Sequence, residues 1–299
     1  MLDLSSPKQA SDLLKEHGIR AQKRLGQNFL CDRNTLNRIV GAANLSPDDS
    51  VVEIGGGMGA LTLSLAALCK SVTTVEIDLK LEPILRAATS ESPNVNLIFE
   101  DFMKMDHASL FETAFGGGQG YVVANIPYYI TSPILDILLE NKRYLKRIVL
   151  LVQLEFANRL SAAPGSDACG SLSLYAQYHA HVEHAGTVPK TVFLPAPEVN
   201  SAIVALSPAQ GGGTIPVNNE QRMFKMIRAG FGQRRKTLLN ALMRAPQSYE
   251  LGFGMEDREI IEDLLNRSGV DPSRRGETLT LEEYARIADM PCAAGSAKA

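Results

Sequence analysis

Asn125-Ile126-Pro127-Tyr128, at the end of the apolar run YVVA, combines residue types suited to making the exocyclic amino group of adenine attack an electrophile. That nitrogen is a poor nucleophile because its lone pair is delocalised into the ring. An Asn side-chain oxygen and a nearby backbone carbonyl can each accept one N6–H and draw the nitrogen toward a pyramidal, more reactive geometry. Pro127 fixes the backbone so that such a carbonyl faces the pocket. Tyr128 offers a flat face to a base taken out of its stack. No strong general base is required, since the methylated nitrogen is acidic enough to give its proton to water. Taken alone, the four residues also fit an ordinary strand-end turn.

A second set lies upstream. Glu53-Ile54-Gly55-Gly56-Gly57-Met58-Gly59 closes an apolar run and opens a helix-forming one. Gly55 and Gly57 allow the backbone to pass close to a ligand. Gly55, Gly57 and Ala60 also satisfy the dinucleotide fingerprint, so a nicotinamide cofactor is one reading. Glu76, after the next apolar run, suits either cofactor, because a carboxylate there accepts both ribose hydroxyls. Glu53 would repel a pyrophosphate but suits a ligand with ammonium and sulfonium charges. Asp101, after a third run, is placed to accept from an adenine amino group. Together these residues describe a site for a cationic nucleoside, S-adenosyl-L-methionine. The segment Gln27-Asn28-Phe29-Leu30 is expected to fold over it, with Asn28 and the Leu30 backbone near its methionine end; a core-packing turn is the plain alternative.

The elements that must position these groups follow from periodicity. SVVEIGGGM, VTTVEID, NVNLIFED, YVVANIP and RIVLLVQ read as strands, separated by helical stretches such as SPILDILLE. Strands alternating with helices predict an α/β fold, a Rossmann-like parallel sheet covered on both faces. Glycine and proline at 207–216 mark a linker. The expected domains are 1–210, carrying the cofactor site, and a small all-α domain over 217–299. The loop 161–170 reads as a surface excursion of the first.

Charge bears on the partner. The 299-residue chain has a formal net charge of −3, unlike a typical nucleic-acid-binding domain. Yet Arg222 to Arg244 holds seven basic residues and no acid, and clusters recur at 20–38 and 142–147. Within the first, Arg234-Arg235-Lys236 after Phe231 is expected to contact RNA backbone rather than read sequence; a solvated helix end is the alternative. His179, His181 and His184 lack a convergent carboxylate or cysteine motif, and the four cysteines have no metal spacing, so no metal is expected. No apolar run reaches the roughly 18 residues of a membrane span, and no secretory signal is visible. A cytoplasmic monomer without membrane attachment is the resulting expectation.

The chain resembles the small-subunit ribosomal RNA adenine dimethyltransferases, the kasugamycin-sensitivity enzymes. LGQNFL at 25–30, EIGGGMGALT at 53–62, VEID at 75–78, ED at 100–101, NIPYYI at 125–130, VFLPAPEVNSAI at 192–203 and FGQRRKTL at 231–238 carry the likeness. It implies cofactor contacts at Asn28, Leu30, Gly55, Glu76, Asp101 and Asn125. It also implies a base platform at Tyr128, with Phe193 as the opposite wall of an aromatic sandwich. The implied substrate is a pair of adjacent adenosines in a hairpin loop near the 3′ end of small-subunit rRNA, within immature 30S ribosomal particles. Gly56, Glu198 and Gly276 depart from the family's usual proline, lysine and proline. A large-subunit rRNA adenine methyltransferase and a ribosome-assembly binding factor stay open beside this reading.

Overall fold

The computed structural model describes residues 4–253 and 257–292. Among these residues nine strands form two sheets: β1 (Phe29–Leu30), β2 (Ser50–Ile54), β3 (Ser71–Val75), β4 (Val95–Ile98), β5 (Gly120–Asn125), β6 (Leu145–Gln153), β7 (Ala180–Val188), β8 (Phe193–Leu194) and β9 (Ser201–Pro208). The large sheet has the order β4-β3-β2-β5-β6-β9-β7. The pairs β3–β4, β2–β3, β2–β5 and β5–β6 are parallel, whereas β9 runs antiparallel to β6. The expected Rossmann-like parallel sheet is therefore present, extended by an antiparallel side. Val122, Val123 and Ala124 of β5 and Ile148 to Val152 of β6 are completely buried, as strands covered on both faces require. The short pair β1–β8 is antiparallel, with Phe29 opposite Leu194 and Leu30 opposite Phe193.

Parallel pairing aligns the carboxyl ends of β2, β3, β4 and β5 along one edge. Between β2 and β5 the chain order reverses, and a crevice opens outside the strand ends at such a switch. The glycine loop leaves β2 there, and Asn125 ends β5 there.

By internal packing the chain divides into two units. One comprises the chain up to Ala157 with Val182–Gln210, the other Asn158–His181 with the chain from Gly211 onward. This allocation differs from a division at 210, because residues 158–181 group with the C-terminal helices. Leu174 and Tyr178, on the helix Ser171–His179, share a core with Met223, Met226, Ile261 and Tyr284. The loop at 161–170 belongs to the same unit: Gly165 N donates to Glu277 O at 2.7 Å. Burial of the apolar helix face decides the grouping, and linear order conceals it.

Candidate active site

The glycine loop and the tetrapeptide meet at the crevice. Gly55 (φ +82°) and Gly57 (φ +57°) adopt the left-handed conformation, which side-chain-bearing residues disfavour. A Cβ on Gly55 would stand 3.5 Å from the Asn125 carbonyl oxygen. Gly57 N donates to Glu76 Oε2 at 2.8 Å, and Asp78 N donates to Glu76 Oε1 at 2.8 Å. Glu76 is 5% exposed. Burial raises its carboxyl pKa and the two amide donors oppose that shift. Each oxygen keeps accepting capacity for a ligand hydroxyl.

Asn125 Nδ2 donates to the backbone oxygen of Asn28 at 3.2 Å. The amide is thereby oriented, and Oδ1 is kept as its acceptor. Asn28 Nδ2 donates to Gly26 O at 3.1 Å, which holds the turn that carries it. Pro127 O accepts from Ile130 N at 3.2 Å, turning the chain into a short helical turn at Tyr128–Ile130. The Tyr128 hydroxyl lies 2.7 Å from Ser201 Oγ. Ser201 is completely buried at the start of β9, so the phenol is anchored by the antiparallel side of the sheet. Burial pushes its pKa up.

A cavity of about 310 Å³ joins these groups, within the size range of small-molecule sites. Its lining includes Asn28, Gly55, Gly57, Glu76, Asp101, Asn125, Pro127 and Tyr128 from among the expected residues. Asp101 Oδ1 also accepts from Met103 N at 3.1 Å, and Lys104 Nζ stands 3.4 Å from Oδ2. Three acids, Glu76, Glu100 and Asp101, line the cavity, and no Lys, Arg or His does so among the described residues. A pyrophosphate would face acids, with the adjoining cation Lys104 already paired to Asp101, whereas a ligand with ammonium and sulfonium charges is matched. The residues present fit S-adenosylmethionine and do not fit a dinucleotide.

Three expected residues lie outside the lining. Glu53 is completely buried, and its Oε2 accepts from Thr62 Oγ1 at 2.6 Å and from Thr74 Oγ1 at 2.8 Å. It turns toward the neighbouring strand and the following helix, where β2 pairs Glu53 with Thr74. Leu30 and Phe193 pair across β1–β8 and pack with Val123, Val149 and Ile203 in the core. Phe193 is 5% exposed and packs within this core, outside the lining. Sequence reasoning missed Gln27 as a side chain, Ile77, Phe102 and the 61% exposed Tyr129. Each adjoins a residue it did identify, which is the signal that could have found it.

The basic triplet lies in the second unit. Arg234 Nε donates to Glu277 Oε2 at 2.8 Å and Nη2 donates to Cys169 O at 2.6 Å. Its guanidinium therefore braces its own unit, while Arg235 and Lys236 are exposed. No helix among the described residues is long and apolar enough to cross a membrane.

The model of the ribosomal RNA adenine dimethylase family matches residues 18–286. The ribosomal RNA small subunit methyltransferase A of Bacillus mycoides (strain KBAB4) is 43% identical over 290 residues, covering 97% of each chain. That of Bacillus anthracis (strain A0248) matches equally. The crystal structure of a dimethyladenosine transferase from Plasmodium falciparum aligns with a TM-score of 0.73 at 25% identity, over 86% of this chain and 95% of that one. That of the 23S rRNA methyltransferase ErmE aligns with a TM-score of 0.68 at 28% identity, over 87% and 98%. With an acid-lined nucleoside cavity beside an oriented asparagine, and with these full-length likenesses, the chain belongs to the ribosomal RNA adenine dimethylase family.

Proposed function

We propose that this protein dimethylates N6 of two adjacent adenosines in a hairpin loop near the 3′ end of small-subunit rRNA, within immature 30S particles, as a step of small-subunit maturation. In this reading it acts as a monomer in the cytoplasm. S-adenosylmethionine supplies an electrophilic methyl group on a cationic sulfur. Glu76 accepts the ribose hydroxyls, Asp101 accepts from the cofactor's adenine, and the glycine loop lets the backbone approach. Asn125 Oδ1 accepts one N6–H of the target. A backbone carbonyl beside Pro127 is the second acceptor. Tyr128, held by Ser201, carries the extruded base on its ring face. In the second unit, Arg235 and Lys236 contact RNA phosphates.

One observation carries the reading: an acid-lined cavity with, among the described residues, no cationic side chain in its lining, ending on an asparagine whose amide nitrogen is already engaged. A second reading, large-subunit rRNA as substrate, draws on the ErmE likeness at 28% identity. The 43% identity to small-subunit enzymes over 97% of the chain favours the first. Incubation of both immature subunits with labelled cofactor, followed by mass spectrometry of the rRNA, separates them; label confined to large-subunit RNA would reject our choice. Asn125→Ala is expected to bind particles nearly as well as the parent while transferring methyl at least about a hundredfold more slowly, the usual scale for losing one well-aimed polar group. Undiminished turnover in that variant refutes the role of Asn125.

A further inference from the structure

Asp78 is 5% exposed and does not line the cavity. Its Oδ2 accepts two side-chain amides from a distant segment, Gln22 Nε2 at 2.6 Å and Gln27 Nε2 at 2.8 Å. Its Oδ1 accepts from Lys80 N at 3.2 Å, and its own N–H goes to Glu76 Oε1 at 2.8 Å. Gln27 Oε1 accepts Gln22 N at 2.8 Å, so the segment from Gln22 to Gln27 closes on itself around the carboxylate. The next residue, Asn28, receives the Asn125 amide on its carbonyl. A nearly buried carboxylate is costly unless several donors satisfy it. Here three N–H groups do so, more than an amide side chain could accept on its single oxygen.

These contacts form one uninterrupted series: Glu76, Asp78, Gln27, Asn28, Asn125. We infer that Asp78 is a positioning residue that fixes the Gln22–Asn28 strap and, through the Asn28 carbonyl, sets Asn125 Oδ1 toward the target nitrogen. It rests on the role given to Asn125 above. The carboxylate assigned to the ribose and the amide assigned to the target base then share one hydrogen-bonded frame. A small displacement of an aligned group far from the reacting atoms can cost orders of magnitude in rate.

Exchanging donor and acceptor across the pair tests this role. Asp78→Asn places amide against amide, and Gln27→Glu places carboxylate against carboxylate. The double variant D78N/Q27E again sets an amide donor against a carboxylate. Each single variant is expected to lower kcat about tenfold or more on small-subunit RNA, with a smaller change in KM for S-adenosylmethionine. The double variant is expected to recover most of that loss, and Gln27→Ala to lower kcat at a temperature where circular dichroism shows it fully folded. A merely structural carboxylate predicts thermal midpoints that fall in the single variants while kcat of the folded protein stays that of the parent. The inference is overturned if Asp78→Asn stays within about twofold of the parent, or if the double variant is no faster than the slower single one. Asn125→Ala in the same assay keeps the two ideas apart. If it is inactive while the exchange fails, only the role of Asp78 falls. If it is fully active, the reading of Asn125 falls first.

Discussion

The Glu53 carboxyl group is enclosed completely, with two hydroxyls on Oε2 and, among the described residues, no partner for Oε1. Burial, reinforced by the nearby charge of Glu76, pushes its pKa up to about 7. The folded protein therefore holds this proton more tightly than the unfolded chain between the ordinary carboxylate range and neutrality. The stability this confers is present at low pH and is lost as pH rises through that window. Glu53→Gln keeps an acceptor for both hydroxyls and removes the titration. Its unfolding free energy relative to the parent is expected to rise by on the order of 3 kcal/mol from about pH 5 to about pH 8. Urea unfolding at the two pH values measures this, and a pH-independent difference would contradict it. The type and place of Glu53 are readable in the sequence, but its aim is not. Whether a strand-end side chain faces a ligand or the next strand depends on its cross-strand neighbour, here Thr74, which lies far away in sequence. Asn125, Glu76 and Asp101 are legible because loops at strand ends have a chemical reason for each residue type.

Between elements, Gly56 and Gly276 sit where a Cβ would meet close neighbours. A Cβ at Gly56 would stand 2.4 Å from Thr74 Cγ2 and 3.1 Å from Leu85 Cδ2. Thr74 cannot turn away freely, since its hydroxyl is tied to Glu53. A Cβ at Gly276 would stand 2.6 Å from Gly230 Cα and 2.8 Å from the Tyr284 hydroxyl, which donates to Gly276 O at 3.0 Å. In this chain the helix Glu220–Gly232 approaches backbone to backbone. Gly276→Ala is expected to cost about 2–3 kcal/mol, and Gly56→Ala less, because the first displaces backbone and the second a side chain. Thermal or denaturant unfolding ranks them; the reverse order would place the strain in the wrong element. The strand–helix alternation of β2 to β6 is plain from apolar runs broken by glycine and polar residues. Ser201–Pro208 is another apolar run, and nothing local in it says that it pairs antiparallel with β6. That direction is set by a contact about fifty residues back.

For the whole chain, the second unit is discontinuous. Leu174 and Tyr178 are 0% and 2% exposed against residues beyond 220. Cutting after Gln210 removes those partners and leaves both side chains in water, at a cost of about 1.5–3 kcal/mol for each large apolar group uncovered. A chain of residues 1–210 is expected to aggregate or to melt well below the intact protein; a soluble fragment with an unchanged midpoint would show that 158–181 needs nothing from the C-terminal helices. The boundary is not legible because composition changes at the linker, whereas membership is settled by which apolar faces meet. The β1–β8 pair carries a different consequence, one of timing. Phe29 and Leu30 leave a translating ribosome before their strand partners, Phe193 and Leu194, have been made. The wall of the cavity that Asn28 and Phe29 supply therefore gains its strand partner only after β2 to β5, which form the rest of the edge, have been made.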